Sequence, residues 1–113
     1  MVKRIYIPER GDIVWLNFSP TLGHEEKGRR PALTITPKIY NQKTGTALFC
    51  PITSSVKGYP FEVEVSILGV KSAVLTDQVR ALDWTKRRCQ IIQPIAVPLL
   101  QDVQSKIIQL ATG

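Results

Sequence analysis

The sequence predicts a mainly β domain: a small, strongly bent barrel closed by one C-terminal helix. Three observations carry that prediction. Short runs rich in β-branched and aromatic residues recur along the chain, each cut off by Gly, Pro or a polar cluster. Helical periodicity is confined to the C-terminal segment. A chain of 113 residues holds one core and has no room for a second, so residues 1–113 form a single domain.

The first strand is expected over residues 12–18, where Asp12-Ile13-Val14-Trp15-Leu16-Asn17-Phe18 follows Gly11. Ser19-Pro20-Thr21-Leu22-Gly23 ends it and opens a charged loop. Pro31 then begins a second strand, 32–36, stopped by Pro37. Residues 38–45 are short and polar, which fits a helical turn or a hairpin-like loop, and Gly45 releases a third strand over 46–52. A polar loop, 53–60, precedes a fourth run in which Phe61, Val63 and Val65 face inward and Glu62 and Glu64 outward. Shorter strands at 73–76 and 89–92 bring the number to at least six. Residues 77–84 show no periodicity that decides between states. In the C-terminal helix Leu100, Val103, Ile107 and Leu110 form one stripe, and Asp102 and Lys106 an i,i+4 pair. Pro98 suits its first turn, and Gly113 lies beyond its end.

Composition bounds the function. A hydrophobic fraction of 43% and a charged fraction of 21% describe an ordinary soluble domain. No run approaches the roughly 20 apolar residues of a membrane span, and the N-terminal apolar stretch is too short for a signal peptide, so the expected location is the cytoplasm. The formal charge of +6 points to an anionic partner, either nucleic acid or an acidic polypeptide. Cys50 and Cys89 read as reduced core residues, with a disulfide left open, because spacing does not give their separation. With one histidine and no second ligand cluster, the sequence offers no metal site, and no cofactor is expected.

The chemistry gathers in Gly23-His24-Glu25-Glu26-Lys27-Gly28-Arg29-Arg30-Pro31. A packed strand would bury these groups at a heavy desolvation cost, whereas a loop presents them together. Imidazole, carboxylate and guanidinium side by side can move a proton beside a phosphate and hold the charge that develops. The segment is therefore a candidate active site acting on RNA.

The same residues carry a resemblance. Glu9-Arg10-Gly11-Asp12-Ile13-Val14-Trp15, Gly23-His24-Glu25 and Gly28-Arg29-Arg30-Pro31-Ala32 resemble the MazF/PemK toxins. So do Pro51-Ile52-Thr53-Ser54, Lys57-Gly58-Tyr59-Pro60-Phe61-Glu62-Val63 and Asp77-Gln78-Val79-Arg80. Tyr40-Asn41-Gln42-Lys43-Thr44-Gly45 and the Lys57–Phe61 loop look like the MazF branch especially. The likeness runs in the family's order from about Arg4 to the last helix. It implies an SH3-like barrel of the CcdB/PemK type that homodimerises and cleaves single-stranded mRNA at a short sequence without a metal, inhibiting translation and growth. It also implies a cognate MazE-like antitoxin whose acidic C-terminal segment inhibits the enzyme. Arg30, Thr53 and Glu25 match positions the family uses in catalysis; His24 and Asp77 match positions given roles in the PemK branch. That branch carries an arginine two residues before the aspartate, where this chain has Leu75, so its proton-transfer scheme does not carry over intact.

Metal-free cleavage requires the ribose 2′-hydroxyl to attack the adjacent phosphorus while the 5′-oxygen leaves. Arg30 is assigned to the phosphorane, because its planar fork donates two parallel bonds to phosphate oxygens. Glu25 is the candidate general base, Thr53 a hydrogen-bond partner of the scissile phosphate, and His24 a secondary acid or base. Lys57, Tyr59, Lys43 and Tyr40 supply phosphate contacts and stacking faces, while Asn41, Gln42 and Gln78 read base edges.

Plainer readings compete with each assignment. Arg30 pairs with Glu25 or Glu26 across a surface loop, His24 is an idle surface residue, Thr53 only forms a turn, and Asp77 caps the segment after it. Lys86-Arg87-Arg88 is a solvated face or antitoxin contact, with an RNA track as the alternative. At the level of function, two rivals stand beside the ribonuclease. One is a CcdB-like gyrase poison, whose group shares a C-terminal Trp-Gly-Ile that this chain replaces with Gln109-Leu110-Ala111-Thr112-Gly113. The other is a non-catalytic basic barrel that binds nucleic acid.

Overall fold

The computed structural model describes residues 5–18 and 28–113. Among these, the order is β1 (Asp12–Asn17), β2 (Arg29–Thr34), α1 (Lys38–Thr44), β3 (Thr46–Thr53), β4 (Glu62–Ile67), β5 (Val70–Leu75), β6 (Arg80–Asp83), β7 (Gln90–Pro94) and α2 (Val97–Thr112). The strands form one antiparallel sheet in the order β4-β5-β3-β2-β1-β7, with β6 paired to β3. The sheet curls so far that its two edges approach: Gln93 on β7 donates to the Ser66 carbonyl on β4, at 3.2 Å. A register shift between Ile13 and Val14 in the β1–β7 ladder is the kind of irregularity that lets a strand bend.

Two prolines explain how the central strands are partnered. Pro31 lies inside β2, which starts at Arg29, three residues before the expected Ala32. The carbonyls of Gly28 and Thr34 bond toward β1, so by alternation the missing N–H of Pro31 faces β3. The β2–β3 ladder begins only at Ala32, so no ladder bond is lost there. On β3, pairing with β6 ends at Phe49 and pairing with β5 begins at Ile52, which leaves Pro51 at the changeover. The proline removes a donor where the strand switches neighbours.

Each face of the sheet carries a core. Leu33, Cys50, Ile52, Val63 and Val74 lie under α2, whose Val103 is fully buried among them. Val14, Leu16, Phe18, Ala32, Phe49 and Trp84 form the second cluster. Of the expected helical stripe, Leu100, Val103 and Ile107 pack inward, whereas Leu110 is 56% exposed and lines a shallow groove with Pro60 and Phe61. The Asp102–Lys106 pair forms at 3.5 Å. No helix among the described residues is long and apolar enough to cross a membrane.

Three local expectations change in the fold. Residues 38–44 are a two-turn helix rather than a single turn. The Glu9 carboxylate holds the Lys38 N–H at 3.0 Å at its start, and left-handed Gly45 (φ 70°) bonds back to Asn41 at its end. Residues 70–72, left out of the expected fifth strand, join β5 through a two-residue turn in which Leu68 and Gly69 both have positive φ. The undecided stretch 77–84 divides into a 3₁₀ turn (Thr76–Gln78), β6, and the start of a second turn at Trp84. Pairing with β3, not local periodicity, makes β6 a strand.

Both cysteines are free. Burial pushes each thiol up to about 12, with Asp77 adding to the effect at Cys50 and Arg29 opposing it at Cys89. Because these values lie above the unfolded-state value of 9.0, the associated stability is complete below pH 9 and is lost as pH rises through 12. Folded protein at pH 8 is therefore expected to resist iodoacetamide, while urea-unfolded protein alkylates at the rate of a free thiol. Alkylation of the native protein at the unfolded rate would contradict the burial.

Candidate active site

The antiparallel register assembles the centre of the site. Ala32 faces Pro51 and Thr34 faces Phe49, so continuing the same register places Arg30 opposite Thr53, on one face of the sheet. Arg30 is a strand residue, also paired with Leu16 of β1, and not part of a surface loop. Two positions distant in sequence thus meet at the end of β3, where the polar loop begins.

Beside this pair lies a cleft of about 290 Å³ lined by Thr53, Ser55, Lys57, Tyr59, Phe61, Glu62, Leu75 and Gln78. Four of the residues expected from the sequence therefore share one cavity: Thr53, Lys57, Tyr59 and Gln78. Thr53 does form a turn, since its Oγ1 accepts from the Ser55 N–H at 3.0 Å. That bond uses one lone pair and leaves the O–H able to donate to a phosphate oxygen. Gln78 and Asp77 are exposed on the 3₁₀ turn, and the Asp77 charge reaches the Cys50 thiol. Leu75, which stands where the PemK branch has arginine, contributes an apolar wall.

His24 and Glu25 fall within residues 19–27, outside the described residues. Hydrogen bonds hold the residues on either side of that segment. Phe18 N–H donates to the Gly28 carbonyl at 2.8 Å, and Arg87 and Asn17 exchange bonds of 2.8 and 3.1 Å. Arg29 donates to the Arg88 carbonyl and to Gln90 Oε1, both at 2.6 Å. Arg87 thus ties the end of β1 to the turn that precedes β7, a structural role that the reading of a solvated Lys86-Arg87-Arg88 face misses.

Four other expected residues lie elsewhere. Tyr40, Asn41, Gln42 and Lys43 belong to α1, at the opposite end of β3 from Thr53, and eight strand residues span about 23 Å. Tyr40 and Lys43 are exposed there. Asn41 is 0% exposed, and its amide is fully committed: it donates to the Pro8 and Thr36 carbonyls (2.8 and 2.9 Å) and accepts from Thr36 Oγ1 (2.6 Å). It is a core residue and cannot present its amide to a base edge. The tripeptide context was polar, and only the tertiary position of α1 buries it.

The fold also brings in residues that the sequence reading did not assign. Arg80, on β6 opposite Phe49, lays its guanidinium 4.9 Å from the centre of the Phe18 ring. This adds a second arginine on the face that carries Arg30; its only sequence signal was membership of the Asp77–Arg80 motif. Glu62, expected to point outward, is half-buried in the cleft wall.

A bent sheet closed by one helix, with Lys57 and the hydroxyl residues Thr53 and Ser55 lining a cleft at the end of β3, defines a small β-barrel protein with a polar cleft. The chain belongs to the PemK-like, MazF-like toxins of type II toxin–antitoxin systems, whose family model matches residues 9–111. It is 42% identical over 107 residues to the endoribonuclease toxin MazF of Escherichia coli K12, covering 95% of this chain and 96% of that one. It also resembles MazF from Deinococcus radiodurans, with a TM-score of 0.89 and 45% identity over 96% of this chain and 100% of that one. A MazE–MazF structure from the same organism matches with a TM-score of 0.84 and 42% identity, covering 96% and 98% of the two chains. The ribonuclease reading therefore stands over the gyrase poison and the non-catalytic barrel.

Proposed function

We propose that this endoribonuclease toxin cuts unpaired mRNA at a short sequence, without a metal, by attack of the ribose 2′-hydroxyl on its own phosphate. The observation that carries the reading is the register that sets Arg30 against Thr53 beside a cleft lined by Lys57, Tyr59 and Gln78. Arg30 holds the charge that builds on the phosphorane, and Thr53 orients the scissile phosphate. Glu25 removes the 2′-proton, and His24 serves as a secondary acid or base. Lys57 contacts a backbone phosphate, Tyr59 stacks on a base, and Gln78 with Asp77 reads a base edge.

The working form is a homodimer in the cytoplasm, where mRNA is available. A second protomer gives Tyr40 and Lys43, remote from the cleft in one chain, a route to the same RNA strand. Its inhibitor is a MazE-like antitoxin with an acidic C-terminal segment, a partner suited to a formal charge of +6. The likeness to the Deinococcus MazE–MazF structure supports that pairing.

Incubating the purified protein with a long RNA in EDTA tests the chemistry. Fragments should begin at one repeated short motif with 5′-hydroxyl ends and carry cyclic 2′,3′-phosphates. Loss of cleavage in EDTA, or 5′-phosphate ends, would overturn the mechanism. Affinity for a non-cleavable 2′-deoxy analogue should fall with salt at a slope of about −0.7 per phosphate contact, and a flat response would contradict phosphate binding.

A further inference from the structure

We propose that Glu62 is a positioning residue for RNA binding: its carboxylate fixes residues 57–60 so that Tyr59 is held ready to stack on an unpaired base. The inference deepens the ribonuclease reading and rests on it. Glu62 differs from its neighbour in the alternation of β4. Glu64 points to solvent and pairs with Lys71 at 3.6 Å, a contact of little energetic weight. Glu62 turns back, and its Oε1 accepts from the N–H groups of both Lys57 (3.1 Å) and Gly58 (2.9 Å).

Charge alone does not account for a carboxylate here. Placed in the wall of a cleft that takes a polyanion, it works against phosphate and draws on the field of Lys57. Its geometry gives the reason. Consecutive backbone N–H groups that converge on one point form a concave anion site, and here the anion is part of the chain. Gly58 makes the convergence possible with φ of 76°, while a Cβ there would meet nothing within 4 Å. The glycine is needed for backbone conformation, not for space.

The rest of the loop follows from that anchor. Glu62 N–H donates to the Tyr59 carbonyl at 3.0 Å, closing a four-residue turn with Pro60 at its second position. The turn stacks Tyr59 on Phe61, with ring centres 5.3 Å apart and planes at 22°. Tyr59 stays 50% exposed, so one ring is backed by Phe61 while the tyrosine remains accessible to a base. Fixing an aromatic before the ligand arrives removes part of the ordering cost of binding.

The test measures binding of a single-stranded RNA carrying a 2′-deoxy residue at the scissile position and 2-aminopurine beside it, whose fluorescence is quenched by stacking. Glu62→Ala should weaken binding about tenfold and reduce the quench, a loss at the low end of that for one stacked base. The direction is diagnostic, because removing a negative charge would otherwise tighten binding. Glu62→Gln keeps an acceptor oxygen and should stay within about threefold of wild type, whereas Glu62→Asp keeps the charge, loses the reach and should weaken binding like alanine. In a Tyr59→Ala background, Glu62→Ala should add less than about twofold, because the two act as a unit. Unchanged or tighter binding by Glu62→Ala, full additivity with Tyr59→Ala, or wild-type binding by Glu62→Asp overturns the proposal. If Tyr59→Ala and Lys57→Ala also bind normally, the assignment of this cleft to RNA fails with it; if both weaken binding, only the role of Glu62 fails.

Discussion

Arg30→Ala is expected to slow single-turnover cleavage of a model RNA by about 10²–10³-fold, or ~3–4 kcal/mol of lost transition-state stabilisation. The size follows from where the side chain is held. Arg30 projects from β2, paired with Leu16 of β1 and set opposite Thr53 of β3 by continuation of the register. A strand backbone anchored in this way gives the guanidinium a fixed point of attachment beside the cleft, which lowers the reorganisation needed when charge develops on the phosphorane. Arg30→Lys keeps the charge without the planar fork and should recover only part of the rate. The loss should fall mainly on the rate at saturating RNA, and affinity for the non-cleavable analogue should change far less. If Arg30→Ala cleaves as fast as wild type, the catalytic assignment is wrong. If it changes affinity alone, Arg30 is a binding residue.

Asn41→Ala is expected to lower stability by about 3 kcal/mol, a large share of the 5–15 kcal/mol typical of a domain, and to drop Tm by on the order of 10 °C. The side chain makes three hydrogen bonds in a fully buried setting, reaching Pro8, the Thr36 carbonyl and the Thr36 hydroxyl. Truncation strands two buried carbonyls and leaves a void. The Trp84 indole, which donates to the Asn41 backbone carbonyl at 2.9 Å, loses the support of that turn. Asn41→Asp is the sharper variant, since a carboxylate of similar shape cannot donate to either carbonyl. Cleavage per folded molecule should stay near wild type at a temperature where the variants remain folded. A stable Asn41→Ala with altered sequence preference would restore the base-reading role that the burial denies.

The legible and illegible parts of the chain differ in a consistent way. Residues 12–17 and the alternation Val63, Val65 announced their strands, because a sheet face in contact with a core imposes a period of two. The helix at Val97–Thr112 was equally plain from its apolar stripe and Pro98. β6 was not legible, because a short strand with partly exposed side chains exists only through its ladder with β3. Leu68-Gly69 hid the β4–β5 turn, since leucine is an unusual residue at positive φ.

The candidate site divides along the same line. Arg30 and Thr53 were singled out by the family resemblance, Lys57, Tyr59 and Gln78 for what their side chains can do, and all of these but Arg30 line one cleft. Asn41 was chosen on the same grounds and lies in the core. Glu62 was dismissed because a strand pattern says which face a residue occupies, not whether its carboxylate bends back to a loop.

By itself the sequence determined the fold class, the basic charge, the positions of β1, β4 and α2, and the kinds of chemistry the loops can offer. Those depend on periodicity and functional groups, which are properties of neighbouring residues. Only the tertiary structure decided that the β2–β3 register, continued, sets Arg30 opposite Thr53, that Arg80 lies over Phe18, and that Asn41 and Glu62 hold backbone rather than substrate. These outcomes are set by strand register and by which buried polar groups must find partners. Both involve residues far apart in the chain, so no local pattern encodes them.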